Sequence, residues 1–254
     1  MSILEVKNIS KRFGGLQAVK DVSFSVERGA IKAVIGPNGA GKTTLFNLLS
    51  GFLPPDSGSV VYQDRPIQGK RPDEIAHRGL SRTFQHIRLF ARMTALENVM
   101  VGCHVRSRAG FLAGMLNLPA TQREELAIRD RALEMMAFIG IEGLAQSEAT
   151  SLSYGQQRSV EMARALASGP TMLLLDEPAA GLNMRETGDT AKLITRIRDL
   201  GITVLIVEHD MSLVMNISDE IIVLSYGEKI ADDAPRSIQS NPEVVRVYLG
   251  EDDA

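Results

Sequence analysis

The sequence has no tryptophan and a single cysteine, Cys103, and only 5% of its 254 residues are aromatic. One thiol cannot build an internal disulfide framework or a cysteine-rich zinc site, and such scarcity fits a reducing compartment. So few aromatic rings leave little on which to stack the bases of single-stranded nucleic acid. A basic excess is missing as well: 28 Lys and Arg stand against 31 Asp and Glu, a formal charge of −3. This balance speaks against a nucleic-acid partner and against retention on anionic lipid by charge alone. Apolar runs such as 202–207 and 172–175 fall far short of the roughly 20 residues that span a bilayer. Met1–Lys7 holds no apolar stretch of signal-peptide length. The expectation is a chain that is soluble and cytoplasmic when alone. What is present is ordinary globular material, 44% hydrophobic and 23% charged, long enough for one large domain or two unequal lobes.

Val22, Phe24 and Val26 alternate with polar neighbours, the period of a half-buried strand. Residues 30–35 then form an almost unbroken apolar strand of the kind covered on both faces. A short helix is expected over 44–50, and an edge hairpin around 59–65. From about residue 94 to 167 the pattern turns helical, with Ala132, Leu133, Met136, Phe138 and Ile139 at helical spacing. Within it, 106–125 reads as an irregular insert. Its apolar patch (Phe111, Leu112, Met115, Leu116, Leu118) suits either an amphipathic helix meeting a partner or a short helix packed on its own lobe. After Pro170, strands at 172–175, 202–207 and 220–224 alternate with helices at 185–200, 211–217 and 242–249. Such alternation predicts a mostly parallel, three-layer α/β core with an antiparallel β edge and an inserted helical block.

The sharpest motif is Gly36-Pro37-Asn38-Gly39-Ala40-Gly41-Lys42-Thr43, with Thr44 behind it. It lies between a buried strand and a helix, the context a phosphate-binding P-loop requires. Glycines let the main chain wrap closely, and the amides and helix start make an anion hole. Lys42 would reach β/γ-phosphate oxygens, and the Thr43 hydroxyl would hold Mg²⁺. A second apolar strand ends in Asp176-Glu177. Asp176 is placed to hold Mg²⁺ through its water shell, and Glu177 to take a proton from attacking water. Acid pairs after strands also cap helices, and this pair gains meaning only beside the P-loop. Leu152-Ser153-Tyr154-Gly155-Gln156 opens a helix. Ser153 and Gln156 have capping-box spacing, a complete structural reason by itself, although a helix start can also bind phosphate. His209 follows a buried strand, where open α/β sheets bind ligands. Gln85 says nothing by itself.

In order along the chain, Phe13, Gly36–Thr43, Gln85, Leu152–Gln156, Asp176-Glu177 and His209 resemble the nucleotide-binding subunit of ABC transporters, over essentially the whole sequence. The resemblance implies a P-loop NTPase fold, with a core lobe over about 1–90 and 165–254 and a helical subdomain over about 91–164. It implies that Phe13 stacks on adenine, that Gln85 completes Mg²⁺ coordination, that Glu177 is the general base and that His209 contacts γ-phosphate. It further implies a head-to-tail dimer, in which Ser153, Tyr154, Gly155 and Gln156 of one chain face ATP held by the other. Two departures stand out: Tyr154 replaces the usual second glycine of the signature, and Asn183 replaces a usual Asp.

These departures, with 82–90, 176–183, 208–211 and the ending 241–250, are similar to one subgroup, the ATPases of bacterial branched-chain amino acid importers. The expected partners are ATP, transmembrane permease subunits, a second ATPase subunit (a different one favoured over a second copy) and, indirectly, an extracytoplasmic substrate-binding protein. No nucleic-acid partner is expected. The expected place is the cytoplasmic side of the bacterial inner membrane, with Phe90, Met93 and Leu96 either flooring the permease groove or packing in the core. Import of urea, short amides or other amino acids is the alternative within the subgroup. A non-transport ABC ATPase fits poorly with one cassette and no heptads, and a P-loop GTPase would need an Asn-Lys-x-Asp segment that is absent.

Overall fold

A computed structural model describes residues 1–106 and 119–249. In chain order the elements are β1 (Ser2–Phe13), β2 (Leu16–Glu27), β3 (Ile31–Ile35), α1 (Lys42–Leu49), β4 (Ser57–Tyr62), β5 (Arg65–Pro66), α2 (Pro72–His77), β6 (Leu80–Arg82), α3 (Ala95–Cys103) and α4 (Pro119–Ile139). There follow α5 (Tyr154–Ala167), β7 (Met172–Asp176), α6 (Met184–Asp199), β8 (Thr203–Val207), α7 (Met211–Ile217), β9 (Glu220–Ser225), β10 (Glu228–Asp233), α8 (Pro235–Ser240) and α9 (Pro242–Leu249). They divide into two compact units. One is Met1–Ile75 with the described part of Thr171–Ala254, and the other is Ala76–Pro170.

The first unit holds two sheets. Its antiparallel sheet runs β2-β1-β4-β5, and its core sheet carries the order β10-β9-β3-β8-β7. Strand β3 is parallel to both β8 and β9, β8 is parallel to β7, and only β10 runs antiparallel. The apolar runs dictate this: every residue of β3, β7 and β8 is buried, as parallel strands covered on both faces must be. Lys32 is the polar exception in β3. Its ammonium meets Glu220 at 2.9 Å, Asp232 at 2.7 Å and the Ser25 carbonyl at 2.9 Å, the partners a buried charge demands. Helix α1 packs on β2 and β7, α6 on β8, and α8 on β9. β10 and α8 occupy a stretch in which the sequence pattern had suggested no element.

In the second unit α3, α4 and α5 pack on one another. Thr94 and Glu97 close a capping box at the start of α3. A Cβ on Gly102 would lie 2.0 Å from the Arg164 carbonyl oxygen, so α3 and α5 touch main chain to main chain there. Buried Asn98 ties down the preceding loop through the Phe90, Met93 and Thr94 carbonyls and the Phe90 amide. The insert expected to be irregular over 106–125 needs correction at its end. Residues 119–125 belong to α4, with Pro119 at the helix start that proline favours. The apolar patch 111–118 lies outside the described residues. Of the proposed permease floor, Leu96 is buried in the core while Phe90 is 51% exposed.

Candidate nucleotide site

Strand β8 lies between β3 and β7, with Val207 opposite both Val34 and Asp176. The residues following all three strands therefore leave at the same carboxyl edge, where open α/β sheets bind ligands. They are the loop 36–43, the pair Glu208-His209, and Glu177.

The loop is held by its glycines and its neighbours. A Cβ on Gly36 would sit 2.1 Å from the Leu224 carbonyl oxygen, and one on Gly41 would sit 2.3 Å from that of Ala18. Gly41 caps α1 in left-handed backbone at φ 101 and offers no side chain to the helix start. The first amides of α1 have no intrahelical acceptor, and with the helix dipole they make an anion site. The Gly227 amide, in the β9–β10 turn, donates to the Ala40 carbonyl at 3.1 Å and braces the loop from behind. The Lys42 ammonium curls over the loop, donating to the carbonyls of Gly36 at 2.6 Å and Pro37 at 2.9 Å. Burial pushes its pKa down, while the negative charges of Glu177 and Asp176 work against that shift.

Glu177 has φ 49, left-handed backbone that a non-glycine residue rarely adopts. Its amide donates to the Val207 carbonyl at 2.9 Å and its carbonyl accepts from the Ala180 amide. Such strain persists only where the surroundings over-determine it, and it concentrates at functional sites. Here the surroundings aim the side chain: Glu177 Oε1 lies 3.0 Å from His209 Nε2. Asp176 is buried at the end of β7, and Thr43 is exposed in the first turn of α1. One hydroxyl and one carboxylate suit Mg²⁺, which keeps several waters and takes few protein oxygens when phosphates supply the rest.

Glu208 went unread in the sequence. It is 4% exposed, and its carboxylate accepts from the amides of Ala179 at 2.7 Å, His209 at 2.9 Å and Asp210 at 3.4 Å. It thereby joins the turn after Glu177 to the turn bearing His209 and sets the separation of that pair. A charge between an apolar strand and a histidine was visible, but its burial was not.

The other candidates take these positions. Phe13 ends β1 opposite Leu16, is 45% exposed, and has the Lys11 ammonium 5.8 Å from its ring centre. Gln85 and Ser153–Gln156 belong to the second unit. Ser153 and Gln156 do form a reciprocal capping box. Tyr154 and Gly155 already lie in α5, so the tyrosine occupies ordinary helical backbone and no glycine conformation is needed. Asn183 caps α6, its side-chain oxygen accepting from the Arg185 and Glu186 amides at 3.1 Å each.

Residues 19–180 match the family described as ABC transporter. Residues 228–254 match the one described as branched-chain amino acid ATP-binding cassette transporter. The chain is 46% identical over 250 residues to the high-affinity branched-chain amino acid transport ATP-binding protein BraF of Pseudomonas aeruginosa, covering 98% of each. It is 44% identical to LivG of Escherichia coli, a protein with the same description, again over 98% of each. Among solved structures, an ATP-binding cassette of an ABC transporter in its ADP conformation superposes with a TM-score of 0.86 at 35% identity, over 98% of this chain and 99% of that one. A dimeric cassette in a post-hydrolysis state, bound to ADP and Pi, superposes with a TM-score of 0.78 at 27% identity, over 92% and 99%.

Proposed function

The chain belongs to the ABC transporter family of ATP-binding cassettes, and from that premise we propose that it is the ATP-hydrolysing subunit of a branched-chain amino acid importer. The observation that carries the chemistry is the Glu177–His209 contact at 3.0 Å, beside a loop built to hold phosphate. The match of residues 228–254 and the relatives' descriptions support the substrate class.

Loop amides and the start of α1 would cradle the β-phosphate, and Phe13 would stack on adenine. Two of the three Lys42 ammonium protons are engaged by loop carbonyls, which leaves a donor for γ-phosphate oxygen and keeps the head group over the loop. Thr43 and Asp176, with Gln85, would hold Mg²⁺, which when bound draws charge from the phosphate oxygens. Glu177 would orient the attacking water and accept its proton. His209, fixed against that carboxylate, would contact γ-phosphate. In a dimer, Ser153, Tyr154, Gly155 and Gln156 would address nucleotide held by the other subunit, a different ATPase in the assembled importer. The permease would hold the pair on the cytoplasmic face of the membrane, fed by an extracytoplasmic binding protein.

Glu177→Gln is expected to bind ATP normally and accumulate as an ATP-bound dimer. Its hydrolysis should fall by roughly a hundredfold or more, the share of a positioned general base. Near-normal turnover of that variant in the permease-bound complex would remove Glu177 from its role.

A further inference from the structure

Three charged side chains on one face of α5, a turn apart, grip the main chain of the segment carrying Gln85. Arg158, 8% exposed, donates from Nη1 to the Phe84 carbonyl at 2.7 Å and from Nη2 to the Gln85 carbonyl at 2.5 Å. Its Nη2 also donates to the Tyr154 hydroxyl at 3.0 Å, and the guanidinium lies 5.4 Å from the centre of that ring. Glu161, 2% exposed, faces Arg158 at 3.4 Å and accepts from the Phe84 and Arg88 amides. Arg164 completes the row by donating to the Arg88 carbonyl at 2.6 Å.

These bonds are charge-assisted and aimed at the backbone, so they hold the segment whatever its side chains do. A planar guanidinium with fixed donors sets direction as well as distance, which a lysine ammonium cannot do. Buried ion pairs add little net stability compared with apolar packing, and their best-attested use is to specify one arrangement. The arrangement specified here joins the backbone of Gln85 to a helix whose cap is Ser153.

We propose that Arg158, oriented by the Tyr154 hydroxyl, is a positioning residue that makes Gln85 and Ser153 move as one body, so that a change at either is felt at the other. The proposal rests on the ATPase reading above, in which both residues address nucleotide. It also gives Tyr154 a task that the glycine usual at that place in the signature could not perform.

A set of mutant cycles on the full chain, assembled with its permease in liposomes, tests this. kcat and KM for ATP are measured for Gln85→Ala, Ser153→Ala and the double variant, in the wild-type and Arg158→Lys backgrounds. In the wild-type background the combined loss in kcat/KM should differ from the product of the single losses by roughly threefold or more, as for residues sharing one network. With Arg158→Lys the losses should multiply to within about twofold, as for independent sites. Tyr154→Phe, which removes only a hydroxyl, should move in the same direction, and it decides the question if Arg158→Lys does not fold. Simple multiplication in the wild-type background, or the same departure in both backgrounds, overturns the proposal while leaving the ATPase reading intact. A wild-type complex that hydrolyses no ATP would instead remove that reading, and the proposal with it.

Discussion

At the residue scale, Glu208 shows how much of this site depends on a group that touches no substrate. Burial raises its carboxyl above the usual carboxylate range, the amides of Ala179, His209 and Asp210 pull it back, and the charge of Glu177 pushes it up again. Between the ordinary carboxylate pKa and the raised one, the folded chain keeps a proton that the unfolded chain has released. The contribution of this group to stability is full below the ordinary carboxylate pKa and is lost as pH rises through the raised value. Urea melts between about pH 4 and pH 7 should show the wild type gaining on Glu208→Gln as pH falls. Glu208→Ala, which takes the acceptor from the buried Ala179 amide bond and the part-buried His209 and Asp210 amide bonds, should lose roughly 1–3 kcal/mol at neutral pH, and its kcat should fall more than its KM rises. Equal stability of Glu208→Ala and wild type would mean that other acceptors take over those amides. The glycines at 36 and 41 were legible as a spacing, because a P-loop needs them. Their reason was not, since the carbonyls of Leu224 and Ala18 that exclude a Cβ come from strands remote in sequence.

At the scale of elements, both departures from the family pattern turn out to sit at helix starts. Asn183 accepts two amides of α6, and Glu186 returns the bond to the Asn183 amide at 3.0 Å, so asparagine caps this helix by the same geometry an aspartate would use. Asn183→Asp is expected to add about 0.3–1 kcal/mol through the helix dipole, and Asn183→Ala to remove about 1 kcal/mol. Thermal melting at low and high salt separates the two, because only the dipole contribution is screened. Tyr154 sits at the first position of α5, 46% exposed, with its hydroxyl turned to Arg158. The capping box at Ser153 was readable from a spacing of three residues, since caps are local chemistry. The row Arg158, Glu161 and Arg164 was readable only as charges at helical spacing, the usual sign of a solvated face. Burial against 84–88 reverses that meaning.

At the scale of the molecule, chain order and spatial order differ. β8 follows β7 in sequence but lies between β7 and β3, and this places Glu177, His209 and the P-loop at a single edge. Among the described residues no helix is long and apolar enough to cross a membrane. On the importer reading proposed above, the chain expressed with a permease should sediment with membranes and be released by an alkaline wash. Expressed alone, it should stay in the supernatant, and membrane retention without the permease would argue for another anchor. The sequence by itself determined β2, β3, β7, β8 and β9, the P-loop, the acid pair and the cap at Ser153. Each is written in a few adjacent residues, by hydrophobic period, glycine spacing or side-chain capping. Only the tertiary structure decided which carbonyls exclude side chains from the loop, that Glu208 binds two turns together, and that Arg158 holds Gln85 by its main chain. Those depend on burial and on the meeting of backbone groups far apart in sequence, and no local pattern encodes either.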